Sequence, residues 1–187
     1  MYTDPAAMHQ LLELLAQSVA DYLRAQQAEG AQALMIFDTW GGILTPRDYQ
    51  DFSLQYMAKI VAALRTDTKT ATTPVILFSK GAGQCLESIA ATGCAGVGID
   101  WTTAIDDAFK RIGGSTAIQG NMDPCVLYAP ETVIRAEVAH ILDAVGSRPG
   151  HVMNLGHGIQ PGMQPEAIGT FVQAVHDLSP SQHPAQE

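Results

Sequence analysis

Five short apolar runs recur along this chain, and the segments between them carry apolar residues at three- and four-residue spacing. The runs are "ALMIF" (33–37), "PVILF" (74–78), "CAGVGI" (94–99), "STAIQG" (115–120) and "HVMNLG" (151–156). A run apolar at successive positions is apolar on both faces of a strand, so it needs cover on both sides. A parallel sheet clothed by helices supplies that cover. The intervening segments fit the requirement. Leu11, Leu15, Val19, Tyr22 and Leu23 mark a helix over 6–29, with Gly30 as its stop. Pro46 suits a first helical turn, and Tyr49, Phe52, Tyr56, Ile60 and Leu64 then repeat at helical spacing. Further helices are predicted through Leu86 and Ile89 and over 102–112, 131–145 and 165–178, with "SPSQHPAQE" (179–187) as a flexible tail.

Each run ends in a polar or glycine-bearing tip: "DTWGG", "SKGAG", "DWTT", "QGNMDP" and "NLGHG". In α/β barrels and doubly wound sheets alike, the C-terminal ends of the strands carry the site. The five tips are therefore expected to converge on one cavity. Alternation is common to both architectures. Of the two we favour the α/β barrel, which alternation by itself does not separate from the doubly wound sheet.

Charge and cysteine usage narrow the functions open to such a domain. Nineteen acidic against ten basic residues give a formal net charge of −9. Nucleic acid and anionic membrane surfaces need clustered Lys and Arg, so neither is an expected partner. An anionic small molecule stays open, because a few placed cations outweigh the global field locally. The chain lacks an apolar run long enough to span a bilayer, and MYTDPAAMHQ has no signal-peptide pattern. Cys85, Cys94 and Cys125 are odd in number and never spaced C-x-x-C, which reads as a reduced, cytoplasmic protein.

Among the tips, His157 stands between Gly156 and Gly158. An imidazole can donate or accept a proton, and the glycines would let the backbone turn and a ligand approach. The plainer alternative is a histidine capping the next helix. Asp38 and Thr39 could hold a polar ligand group or satisfy their own loop. Lys80 is the cation at a strand tip. Gly81-Ala82-Gly83 begins a dinucleotide pattern but has Leu86 where the third glycine belongs. Asp100 or Thr102 could cap a helix, and Asn121, Asp123 and Pro124 read as a capped turn. The six histidines show no metal-ligand spacing, and no G-x-S-x-G elbow is present.

"MIFDTWGGILTPRDYQDF", "GIDWTT", "AIQGNMDP" and "NLGHGI" together resemble the signature blocks of the second half of uroporphyrinogen decarboxylases, in the family's order and across residues 1–178. The resemblance implies a TIM-type (β/α)8 barrel, of which this chain holds about five of the eight β/α units, acting as a homodimer without metal or organic cofactor. It implies removal of the carboxyl groups of the four acetate side chains of uroporphyrinogen III, giving coproporphyrinogen III in haem biosynthesis. It places Thr39 as a hydroxyl at the substrate, His157 as the histidine meeting a substrate carboxylate, and Phe37 as an aromatic wall. The family's arginine-rich block, its pyrrole-contacting aspartate and its substrate-binding tyrosine have no counterpart here, and Asp38 and Asp100 do not replace that aspartate by position. No catalytic residue is therefore assigned, and the chain is expected to be a fragment or split form, inactive alone, that pairs with a missing N-terminal half. A non-catalytic porphyrinogen-binding half-barrel is the alternative. A related zinc methyltransferase fits less well, because "FSKG" puts Phe78 and Lys80 where its zinc ligands would be.

Overall fold

Prolines and short polar side chains start the helices where the sequence places them. The computed structural model describes residues 1–182. Asp4 caps α1 (Pro5–Ala28) by accepting from the Ala7 amide at 2.9 Å, with Pro5 in the first turn. Thr45 caps α2 (Pro46–Tyr49) by accepting from Asp48 N at 3.1 Å. The single helix expected after Pro46 is interrupted by a π turn at Gln50–Leu54 before α3 (Gln55–Thr66). Such turns bulge one residue out of the helical ladder and re-aim the side chains around it. The remaining helices are α4 (Leu86–Ala90), α5 (Ile105–Ile112), α6 (Glu131–Val145) and α7 (Pro165–Gln182). The tail expected over 179–187 overlaps the end of α7, and 183–187 lie outside the described residues.

The strands are β1 (Leu34–Asp38), β2 (Val75–Ser79), β3 (Gly96–Gly98), β4 (Ala117–Met122) and β5 (His151–Leu155), within a few residues of the five apolar runs. Their order in the sheet is β1-β2-β3-β4-β5, and the pairs β1–β2 and β4–β5 are parallel. A doubly wound sheet reverses its strand order at a switch point. Strict succession without reversal is the barrel's winding, so the ordering decides what alternation leaves open.

The chain divides into two compact units, Met1–Val97 and Gly98 onward. In the first, α1 packs its Ala16, Ala20 and Leu23 side inward. It is tied to α3 by His9, which stacks on Phe52 at 4.7 Å and hydrogen-bonds Tyr56 Oη at 2.7 Å. Arg24 bonds Asp67 at 3.1 Å. Leu34, Leu64, Leu77, Leu86 and Ile89 are fully buried, each contributing about 1.5–3 kcal/mol of apolar transfer free energy. In the second unit α5 shows the same logic in eight residues. Ile105, Ala108, Phe109 and Ile112 face inward, while Asp106–Lys110 and Asp107–Arg111 pair along the outside. Ile118, Met122, Ile134 and Val138 complete that core.

β5 departs from the expectation of a strand buried on both faces. Each of its residues is half-buried or exposed, and Val152 is 46% exposed. The sequence is apolar enough for a central strand, but β5 ends the strand order and pairs with β4 alone. No helix among the described residues is long and apolar enough to cross a membrane.

Candidate functional site

In the first unit the β1–β2 register sets Phe37 beside Phe78 and Asp38 beside Ser79. The Asp38 carboxylate accepts from Ser53 Oγ, from Ser79 Oγ at 3.3 Å and from the Trp40 amide at 3.3 Å. Of the two roles open to Asp38, the structure realises the internal one. Ser53 lies in the π turn. The loop beyond Asp38 presses on the tip of β2. Lys80 N donates to Asp38 O at 3.1 Å, and Gly42 N donates to Lys80 O at 3.0 Å. A Cβ on Gly41 would stand 2.3 Å from Asp38 Oδ2, and one on Gly42 would stand 2.2 Å from Lys80 O. Only glycine fits either place. Behind them Tyr49 is fully buried; burial pushes its phenol well above the usual range, and the nearby Asp38 charge adds to the rise.

Phe37 and Thr39 flank this anchored carboxylate. Phe37 is 67% exposed and meets Phe78 edge-on at 5.9 Å. Thr39 is half-buried. A cavity of about 450 Å³ borders Phe37, with Leu12, Leu15, Asp38, Trp40, Phe52 and Ser53 also in its lining, so it takes in the anchored carboxylate together with apolar side chains of α1 and the π turn.

The second unit carries His157, and it is placed differently. Asp100, 3% exposed, accepts from Thr102 N at 2.8 Å and Thr102 Oγ1 at 2.5 Å. It therefore closes a turn ahead of α5 and does not cap that helix. Asn121 Nδ2 donates to Asp100 O at 3.1 Å and to Thr103 O at 2.6 Å, fastening the end of β4 to this turn. Asp123 caps the short 3-10 helix Pro124–Tyr128 through Cys125 N, as expected. Gly156 N donates to Met122 O at 2.7 Å. A Cβ on Gly156 would lie 2.7 Å from Trp101 N, whereas one on Gly158 would meet nothing within 4 Å.

Neither glycine beside His157 has positive φ. Gly156 is required for close approach to the β3 turn, so the expected hinge is instead a tight backbone fit on one side only. His157 follows that fit, half-buried, and α7 begins at Pro165. Phe37 and Thr39 share one strand tip, and His157 belongs to the other unit. Ser53, Ser79 and Tyr49 were not singled out from sequence. No spacing rule connects Ser53 to a carboxylate fifteen residues upstream.

Residues 1–178 match the model of the family described as Uroporphyrinogen decarboxylase (URO-D). Uroporphyrinogen decarboxylases of Hydrogenovibrio crunogenus and of Escherichia coli O157:H7 are each 58% identical over 183 residues, which is 98% of this chain and 52% of theirs. That of Vibrio cholerae is 57% identical over 185 residues. The chain spans about half the length of the curated relatives it matches. Among solved structures, a methyltransferase from Methanosarcina mazei superposes with a TM-score of 0.78 at 20% identity, covering 95% of this chain and 52% of that one. At that identity the likeness is one of fold.

Proposed function

The chain belongs to the uroporphyrinogen decarboxylase family, and we propose that its residues 1–178 form one stretch of a barrel that binds uroporphyrinogen III and takes part in its stepwise decarboxylation to coproporphyrinogen III. The reading is supported chiefly by the position of the three side chains assigned to substrate. Phe37, Thr39 and His157 all stand at or just beyond the C-terminal end of a strand, the end that carries the site in this fold.

In this reading Phe37 offers its exposed ring to the tetrapyrrole, and the Thr39 hydroxyl and His157 imidazole donate to carboxylates. In each step a pyrrole ring protonated at carbon accepts the electron pair released as the acetate C–C bond breaks. Carbon dioxide leaves, a proton delivered to the methylene carbon completes a methyl group, and the ring carbon gives up its added proton to restore the pyrrole, for a net uptake of one proton. Donors fixed in advance contribute through position and electrostatics. With a formal charge of −9, this chain attracts an octacarboxylate only through local donors. We propose that a second copy, or polypeptide supplying the remaining β/α units, adds cations and closes the barrel in the cytoplasm.

Anaerobic incubation with uroporphyrinogen III, counting product carboxyl groups by chromatography, tests the proposal. Activity is expected once the N-terminal half is added, and Thr39→Ala or His157→Ala should lower the rate about a hundredfold. Absence of turnover from the folded, completed assembly would overturn it.

A further inference from the structure

Phe37 precedes Asp38 within β1 and Thr39 follows it in the turn, so whatever holds Asp38 also steadies the backbone that carries both. Three donors converge on that carboxylate. Two of them, Ser79 Oγ and Trp40 N, belong to the strands and their loops; the third, Ser53 Oγ, comes from the helical layer. The Gln50–Leu54 segment that carries Ser53 is a π turn between two α-helical stretches. On the side of Gly41 the carboxylate is closely packed, since a Cβ there would strike Asp38 Oδ2 and Ser79 Oγ alike. Ser53, Ser79 and the Trp40 amide together hold Asp38 in this place.

We propose that Ser53 is a positioning residue for the β1 tip. By fixing Asp38 between the π turn and the end of β2, it steadies the strand end from which Phe37 and Thr39 project. The inference rests on the reading above in which Phe37 and Thr39 meet substrate. Ser53 itself touches no ligand in this scheme; it acts through Asp38.

The chain has two tryptophans, Trp40 and Trp101. Trp101→Phe leaves Trp40, whose amide donates to Asp38, as the sole indole reporter on the loop. In that background Ser53→Ala is expected to fold, as judged by an unchanged circular dichroism melt, and to lower the fluorescence anisotropy of Trp40. In the native background, affinity for uroporphyrin, the stable oxidised octacarboxylate, should fall about tenfold, the worth of one charge-assisted hydrogen bond. Ser53→Thr, which keeps the hydroxyl, should restore both.

Parent values for both readouts in Ser53→Ala would overturn the proposal. So would lowered anisotropy with unchanged affinity, because Ser53 would then brace the loop without serving the ligand. Should Ser53→Ala fail to fold, Asp38→Asn takes its place: anisotropy and affinity must both fall part-way, and parent values overturn the proposal. If the chain completed with its N-terminal half does not bind uroporphyrin either, the substrate reading falls, and the Trp40 anisotropy alone decides whether Ser53 fixes the tip.

Discussion

The β1 tip and the β5 tip carry the same kind of cargo and hold it by different physics. At β1 the residues of interest flank a carboxylate with three hydrogen-bond donors, so their placement depends on polar side chains. At β5 the residue before His157 is a glycine seated against the backbone of Asp100 and Trp101, so placement depends on shape. A polar anchor fails by degrees as donors are removed. A backbone fit has no slack, because the atoms it would displace are main chain held by their own hydrogen bonds. The pair teaches that Phe37 and Thr39 can be loosened gradually, whereas His157 is either seated or not.

The largest effect should come from Gly156→Ala. Its new Cβ would lie 2.7 Å from Trp101 N and 3.0 Å from Asp100 Cα, so either the β3 turn or β5 must move. A cost of about 3 kcal/mol in a denaturant titration is expected, the upper end of overpacking effects. Gly158→Ala, with open space around it, should stay within about 0.5 kcal/mol. Equal effects at the two glycines would break the comparison. Gly42→Ala, 2.2 Å from Lys80 O, belongs with Gly156 and would show that close backbone fits also brace the loop beyond β1.

Side-chain anchors rank next. Asn121→Ala removes two donors from a residue 8% exposed and leaves the carbonyls of Asp100 and Thr103 short of a partner. About 2 kcal/mol of destabilisation is expected. Asp38→Ala orphans the Ser53 and Ser79 hydroxyls, but the site is only half-buried and water can replace some of what is lost. About 1 kcal/mol is expected there, with Asp38→Asn smaller still. Chemical denaturation of the two alanine variants side by side measures the ranking, and the reverse order would mean that the β1 anchor is the stiffer of the two.

How much of this was legible in the sequence follows from the range of the forces involved. Strands and helices were legible because they are local: Pro5, Pro46 and the apolar runs act within a few residues. The tips were legible for the same reason, since Asp38, Thr39 and His157 each follow directly on an apolar run. What β5 would bury was not, because burial depends on neighbours, and the apolar text of "HVMNLG" does not record that β5 ends the strand order. The role of Gly156 was half legible. Glycine announced a close approach, but not that the partner is the protein's own Asp100–Trp101 backbone. Ser53 was invisible, because an interrupted helix leaves no change of apolar spacing: Phe52 and Tyr56 keep their four-residue interval across the π turn.

The smallest effect sharpens the comparison through pH. Asp48, just ahead of Tyr49 and the π turn, accepts from Tyr2 Oη at 2.6 Å and Thr45 Oγ1 at 2.7 Å. The Tyr2 hydroxyl, then that of Thr45, hold its carboxyl below the usual carboxylate range, with Arg47 adding a little. The same contact holds the Tyr2 phenol above its ordinary value, chiefly through the hydrogen bond to Asp48. A depressed acid stabilises the fold above its unfolded value of about 3.9 and loses that contribution as pH falls through the lower folded value. A raised phenol stabilises below about 10 and loses it as pH rises through the higher folded value. Asp48 is buried but its partner Tyr2 is 78% exposed, and solvent at the exposed end keeps the contribution small. Tyr2→Phe should therefore melt slightly below the parent at pH 7, and the gap should close under acid, as Asp48 takes up its proton. Nothing in this contact touches the second unit, so the same titration should leave the Gly156→Ala deficit unchanged. A gap between Tyr2→Phe and parent that persists at pH 2 would mean that Tyr2 acts by packing and that the β1 side has no acid-sensitive support.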